Sequence, residues 1–421
     1  MAVEVEVEVE VERRKVRVPA RLFFLLGPAF VAAIAYVDPG NVAANLTAGA
    51  RYGYLLVWVL VAANAIAVFI QYQSAKLGIV TGHSLPELLG SRLGTGSRRA
   101  FWVQAELVAA ATDLAEVIGG AIALNLLFGL PLPLGGLIVG VVSISILAIQ
   151  SRRGQRPFEM VILGLLGVIA IGFLAGLFVS PVDWGAAAGG LVPHFDGAPT
   201  VLLAASMLGA TVMPHAIYLH SALARDRHGK GENPGAVARL LRATKVDVIA
   251  ALVLAGAVNI AMLLLAAASL NGVRETDTIE GAHAAISAAL GPAIGVIFAI
   301  GLLASGLAST SVGSYAGATI MAGLLKMRIP LLTRRVVTLI PAIIILAVGV
   351  EPTWALVVSQ VFLSLGIPFA MIPLLRLTGS REVMGERADR MRTRVLGIVI
   401  ASLVVLLNAA LVVLTIAGWI G

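Results

Sequence analysis

The chain contains no cysteine. That excludes a disulfide framework, a thiolate metal site and a cysteine nucleophile. Charge is also scarce. Asp, Glu, Lys and Arg make up 13% of the 421 residues and hydrophobic residues 59%, whereas a soluble domain carries roughly a quarter charged residues. This is the composition of a polytopic membrane protein. No GxxxxGK[ST] loop occurs, so ATP-driven pumping by this chain alone is unsupported. The His-Glu-x-x-His of an intramembrane metalloprotease is also missing, and no motif supports a serine enzyme. The chain is therefore read as a non-enzyme.

Apolar stretches of about 20 residues mark membrane spans. Eleven are present, at roughly 22–51, 54–80, 100–128, 133–150, 157–180, 199–224, 244–269, 292–325, 332–350, 354–377 and 394–420. The segment 1–21, with alternating Val and Glu and then Arg13, Arg14, Lys15, Arg17 and Arg21, is expected to be a disordered cytoplasmic tail. It precedes a helix with an acidic break, so cleavage as a signal peptide is rejected. With the amino terminus cytoplasmic, every Lys and Arg except Arg51 and Arg274 falls on the cytoplasmic side. That is the positive-inside pattern, and it places the carboxyl terminus outside a cell membrane. The net charge of +7 is thus topological. It favours anionic lipid and gives no ground for a nucleic-acid partner.

The chain is organised around two interruptions. Asp38-Pro39-Gly40-Asn41 breaks the first span, and Met213-Pro214-His215 breaks the sixth. Proline lacks an N–H and clashes with the preceding turn, so each helix is expected to be discontinuous. In hydrocarbon, the freed backbone groups are tolerable where they line a cavity, and such breaks form ion and substrate sites in transporters. Spans 1–5 (about 22–180) and 6–10 (about 199–377) each begin with a broken helix. An odd number of spans per unit inverts the second unit, giving a 5+5 inverted repeat with an added eleventh span at about 394–420. Residues 22–421 then form one transporter domain.

At the breaks, Asp38 offers a carboxylate and Asn41 an amide. Pro214 frees the carbonyl of Ala210, and Met213 offers a thioether. Methionine in a membrane usually packs; beside one break and opposite an acidic one, it completes a donor set suited to a divalent transition metal. The third span carries Glu106, Asp113 and Glu116. Asp113 and Glu116, three apart, share a face. These acids read either as a proton relay or as buried salt bridges, with Arg334 and Arg335 as candidate partners. His215 and His220 read equally as proton carriers or polar packing. Gln71, Gln73 and Gln360 read as interhelical glue, and Ser305, Ser309, Gly313 and Gly317 as a small-residue packing face.

The two interruptions, with Ala111-Thr-Asp-Leu-Ala-Glu-Val117, Gly209 to His220 and Ser359 to Pro368, resemble the signatures of the Nramp family of divalent metal transporters, in particular its bacterial branch. The resemblance covers all eleven spans. It implies an all-α LeuT-like fold and proton-coupled uptake of Mn²⁺ or Fe²⁺, with Cd²⁺ and Co²⁺ as alternative substrates. Metal and protons are then cargo, with no cofactor and no ATPase subunit required. By position, the family's metal ligands fall on Asp38, Asn41, Met213 and the Ala210 carbonyl, with the Ala35 carbonyl and Gln360 joining in some states. Its proton route falls on Asp38, Glu116 and Asp113 toward Arg335, with His215 nearby. Magnesium-transporting relatives lack the methionine. One departure is Leu307-Ala-Ser-Thr310, where many members carry Gln-Ser-Ser-Thr. The competing reading is another ion-coupled carrier on this plan, such as an amino-acid or Mg²⁺ transporter.

Overall fold

Each proline–glycine interruption ends one helix and starts the next. α1 (Pro28–Ala33) runs into a 3-10 turn, Ile34–Val37, and the chain then extends at Asp38 before α2 (Pro39–Tyr52). In the sixth span, α9 (Gly197–Thr211) stops at Val212 and α10 (Pro214–His228) restarts after Met213. In both restarts proline occupies the first helical position, where its missing N–H costs nothing. This computed structural model describes residues 27–229, 234–273, 276, 278–327 and 330–420. The tail expected over 1–21 lies outside them, as do Arg274, Glu275 and Asp277.

The remaining elements are α3 (Val57–Thr81), α4 (Leu85–Arg92), α5 (Thr95–Phe128), α6 (Leu132–Arg153), α7 (Gln155–Val179), α8 (Trp184–Gly189), α11 (Pro234–Ser269) and α12 (Ile279–Leu290). After them come α13 (Pro292–Leu325), α14 (Leu331–Val348), α15 (Pro352–Gly379), α16 (Arg381–Met384) and α17 (Met391–Ile420). Among the described residues no strand occurs, and nine helices are long and apolar enough to cross a membrane. The broken α1–α2 pair and α14 occupy the first and ninth places in the order read from the sequence. The fold is all-α.

The buried share of the apolar window is 83% for Gly197–His228 and 78% for α5, but 28% for α17. The broken helix and the acidic helix therefore form the centre, and α17 lies at the periphery. α5 packs most extensively against α13, whose small residues let the two approach. A Cβ added at Gly306 would lie 2.9 Å from the Glu116 carbonyl oxygen.

Three local differences from the sequence reading have simple causes. α11 starts at Pro234 rather than near 244, because the polar stretch with Arg239, Arg242 and Lys245 continues the helix; Arg and Lys are good helix formers. The stretch between the expected spans 157–180 and 199–224 contains α8, capped by Asp183 accepting the Ala186 N–H at 2.9 Å. The loop after α11 leads into α12, capped by Thr278 accepting the Gly281 N–H at 3.0 Å. Both capping residues resemble turn residues when read in sequence alone.

Candidate metal site

Asp38 is the amino-terminal cap of α2. Its Oδ1 accepts the Asn41 N–H at 2.8 Å and the Asn41 side-chain amide at 2.7 Å. The same Nδ2 donates to the Ala210 carbonyl at 2.8 Å. That carbonyl is the one Pro214 leaves without a helical partner. Two oxygens from two different breaks thus converge on a single point, the Asn41 amide nitrogen. Asp38 Oδ2 is buried and has no hydrogen-bond partner. Thr211 donates to the Met207 carbonyl at 2.7 Å and lies 3.4 Å from Asn41 Oδ1.

Two carbonyls of the first break are satisfied by distant helices. Asn259 of α11 donates to Tyr36 O at 2.7 Å, and Ser305 of α13 donates to Val37 O at 2.5 Å. Asn259 in turn accepts from Asn45 of α2 at 2.9 Å. Irregular backbone at this depth is therefore held by side chains, as the hydrocarbon setting demands. Ala35 lies buried in the 3-10 turn, one residue before Tyr36.

Met213 is fully buried at the second break, where it caps α10 with an extended backbone. Gln360 of α15 reaches the first break from the other side. A Cβ at Gly40 would fall 1.8 Å from Gln360 Nε2, so glycine is required for that approach. Gln360 Oε1 is buried without a partner, and its amide nitrogen is 3.3 Å from Ser359 Oγ. A Cβ at Gly209 would likewise meet Ser364 Cβ at 2.7 Å, so α15 also presses against α9. Asp38, Asn41 and Met213 are each 0% exposed; the site is closed to both sides. Among the described residues, no group of three His, Asp or Glu side chains is placed to hold a metal. The donor set is mixed instead: one carboxylate, amides, a carbonyl and a thioether.

The acids of α5 divide. Glu106 pairs with Arg334 and Asp113 with Arg335. Asp113 also accepts from Thr310 at 2.6 Å, and Arg335, fully buried, donates to Ser143 at 2.8 Å. Glu116 differs, for both its carboxyl oxygens are buried without a hydrogen-bond partner. The Ser309 hydroxyl beside it is committed to the Ser305 carbonyl at 2.7 Å. One turn further on, a Cβ at Gly119 would sit 2.1 Å from Pro39 Cβ, so α5 presses directly on the first break. His215 lies near Asp113 and is buried with neither ring nitrogen bonded. His220 faces elsewhere: its Nδ1 meets Gln71 Oε1 at 2.8 Å, and Gln71 donates to the Tyr36 hydroxyl at 2.6 Å.

Asp38, Asn41, Ala210, Met213 and Gln360 thus gather around the two breaks, and Asp113, Glu116 and Arg335 lie along the adjoining face of α5; His220 bonds Gln71, and Gln73 bonds Asp389 at 2.9 Å, away from the breaks. Tyr36, Asn45, Ser143, Asn259 and Thr310 were not singled out. Only the three-dimensional arrangement shows which group each serves: Asn259 the freed Tyr36 carbonyl, Ser143 the Arg335 guanidinium and Thr310 the Asp113 carboxylate.

A family model described as natural resistance-associated macrophage protein-like (Nramp) matches residues 29–414. The divalent metal cation transporter MntH of Mycobacterium tuberculosis is 60% identical over 396 residues, covering 94% of this chain and 92% of that protein. The MntH of Deinococcus radiodurans is 45% identical over 393 residues, covering 93% and 90%. A crystal structure of the Eremococcus coleocola manganese transporter, in complex with an aromatic bis-isothiourea substituted compound, matches with a TM-score of 0.87 at 32% identity, covering 97% of this chain and 91% of that one. MhsT in complex with L-phenylalanine matches with a TM-score of 0.57 at 16% identity. That more distant likeness concerns the fold alone, which is LeuT-like.

Proposed function

The chain belongs to the Nramp family, and on that premise we propose that it is a carrier of divalent transition-metal cations, moving Mn²⁺ or Fe²⁺ into the cell together with protons. Cd²⁺ and Co²⁺ are further substrates. The observation that carries this reading is the convergence of Asp38 Oδ1 and the Ala210 carbonyl on the Asn41 side chain, beside a buried and unpartnered Asp38 Oδ2.

The mechanism follows from these groups. Asn41 holds the two oxygens together through its N–H groups. Turning the amide brings its oxygen to the same point, so Asp38, Asn41 and Ala210 present three oxygens to a dication. Met213 adds a thioether, while the Ala35 carbonyl and Gln360 add ligands as the breaks shift. A single carboxylate leaves the bound dication with net positive charge, which weakens retention and favours release. The carboxyl ends of the Ile34–Val37 turn and of α9 point their partial negative charge at the site.

After Asp38 itself, Glu116 is the next proton acceptor, with both oxygens uncommitted on the helix that presses on the first break. Asp113 and Arg335 continue the route along α5 and α14, and His215 flanks it. Protons and metal share Asp38 and then diverge, which couples them without a common exit. An amino-acid symporter on this fold is disfavoured, because Asp38 would repel a substrate carboxylate. The membrane orientation we propose, amino terminus inside and carboxyl terminus outside, rests on the positions of the basic residues. Uptake of Mn²⁺ into proteoliposomes, read by a metal-quenched dye with internal pH followed in parallel, tests the proposal. Saturable Mn²⁺ entry with acidification is expected; Mn²⁺ entry without acidification would refute the coupling, and no entry would refute the function.

A further inference from the structure

The amino end of α1 is held by a carboxylate from another helix. Asp247 of α11, 2% exposed, accepts the Gly27 N–H at 3.1 Å and 3.2 Å through its two oxygens, and the Ala29 N–H at 3.0 Å. Gly27 adopts φ 143°, a conformation that side chains disfavour. The sequence of α1, Pro28–Ala33, has no polar side chain. Among the described residues, the bonds to Asp247 are the polar contacts that fix this helix to another element. Its contacts with α10, α11 and α7 are otherwise apolar. Apolar packing is non-directional; a carboxylate gripping backbone N–H groups is charge-assisted and directional.

A second acid stands alongside. Glu159 of α7 is already engaged, accepting from Gln155 at 2.6 Å with Arg227 of α10 at 3.9 Å. A Cβ at Gly27 would come within 2.9 Å of Glu159 Oε2. The seat therefore fits a glycine at this position and leaves little slack.

α1 is also the half-helix that leads into Asp38, and together with α10 it covers the site from the side carrying the basic residues. A metal leaving the closed site in that direction needs α1 to move relative to α10 and α11. We propose that Asp247 is a positioning residue of the transport cycle: it clamps α1 in the closed arrangement and sets how readily the inward path to Asp38 opens. This rests on the transporter reading above.

The cysteine-free chain permits a direct test. Ala32 of α1 is 1% exposed, and Ala32→Cys supplies a single thiol whose maleimide labelling reports exposure of that helix. In the purified full chain in nanodiscs, adding Asp247→Asn keeps the shape but removes the charge. The labelling rate should rise on the order of tenfold, the equivalent of one charge-assisted hydrogen bond. Calorimetric Mn²⁺ binding should persist, since Asp38 and Met213 are untouched; that separates clamp loss from misfolding. Gly27→Ala, which disturbs the same seat with Asp247 intact, should raise labelling in the same direction. Unchanged labelling in both folded variants would overturn the clamp. If the unsubstituted chain takes up no Mn²⁺ while Asp247→Asn still raises labelling, the transport reading fails and the clamp stands.

Discussion

Asn41 and Ala210, on different broken helices, meet through a 2.8 Å hydrogen bond from the side-chain amide to the main-chain carbonyl. The same amide nitrogen is 2.7 Å from Asp38 Oδ1. One side chain therefore brings the charge of the first break to the freed backbone of the second.

Asp38→Asn tests that charge. The variant keeps the volume and an oxygen able to accept the Asn41 N–H. It removes the anion that offsets a buried dication. Removing one partner of a buried charge pair costs about 3–5 kcal/mol, or roughly two to four orders of magnitude in affinity. Mn²⁺ uptake should fall to background, and calorimetric binding should be lost in a monodisperse, folded variant. Near-unaltered uptake would refute the site assignment.

Arg335 separates structure from transport. Arg335→Met leaves the Asp113 carboxylate buried with Thr310 alone, at a cost of about 3–5 kcal/mol. The apparent Tm in detergent should drop clearly. Adding Asp113→Asn removes the stranded charge and should recover most of that Tm, while proton flux stays impaired. If Arg335→Met alone leaves the Tm unchanged, the pair contributes nothing to stability.

The breaks were legible because proline and glycine act locally and because a carboxylate in an apolar span is conspicuous. Pro214 alone dictates that the Ala210 carbonyl is free, and that is the carbonyl Asn41 reaches. The partners of Arg334 and Arg335 were narrowed to the acids of α5 but not assigned, since pairing depends on how α14 rotates against α5. Ser305 and Gly313 were read as packing. Ser305 does more, closing the Val37 carbonyl, while Gly313 lies against the Glu116 carboxyl, where a Cβ would sit 2.9 Å from Oε2. Asp247 stood near the start of an expected span, where an acid resembles a flanking charge. Its role needs the position of Gly27, which is distant in the chain and close in space.

Glu116→Gln tests proton coupling. A symported proton makes wild-type Mn²⁺ uptake rise as the outside pH falls. Glutamine keeps the shape but cannot take a proton, so the slope of uptake against pH should flatten and proton entry should uncouple from metal entry. Calorimetric Mn²⁺ affinity should change by less than about tenfold, because the carboxyl is not a metal ligand. Retention of the full pH slope would remove Glu116 from the relay.

Orientation is testable with single thiols. Ala198 lies at the start of α9, and Gly229 ends α10. If Gly197–His228 crosses the membrane once, Ala198→Cys should label with an impermeant maleimide from outside intact cells. Gly229→Cys should label only after permeabilisation. Labelling of both from the same side would refute the topology.

Met213 governs selectivity. Ca²⁺ and Mg²⁺ take all-oxygen shells, so a thioether adds little for them; Mn²⁺ and Fe²⁺ tolerate it, and Cd²⁺ favours it. Discrimination is a difference of affinities, so a ligand poor for the abundant hard cations excludes them without binding the cargo tightly. Met213→Ala should therefore lose Cd²⁺ affinity most, keep measurable Mn²⁺ uptake and become more sensitive to inhibition by Ca²⁺ or Mg²⁺. Truncating a fully buried methionine also removes packing, at about 2–5 kcal/mol of stability. That loss alone would lower folded protein and affect all metals alike. Met213→Leu, which restores most of the volume without the sulfur, separates the two effects. If Met213→Leu recovers the Tm but still binds Cd²⁺ weakly relative to Ca²⁺, the sulfur is the selective group. An unchanged Cd²⁺ to Ca²⁺ ratio in Met213→Leu, read by calorimetry and by uptake competition, would show that Met213 only packs.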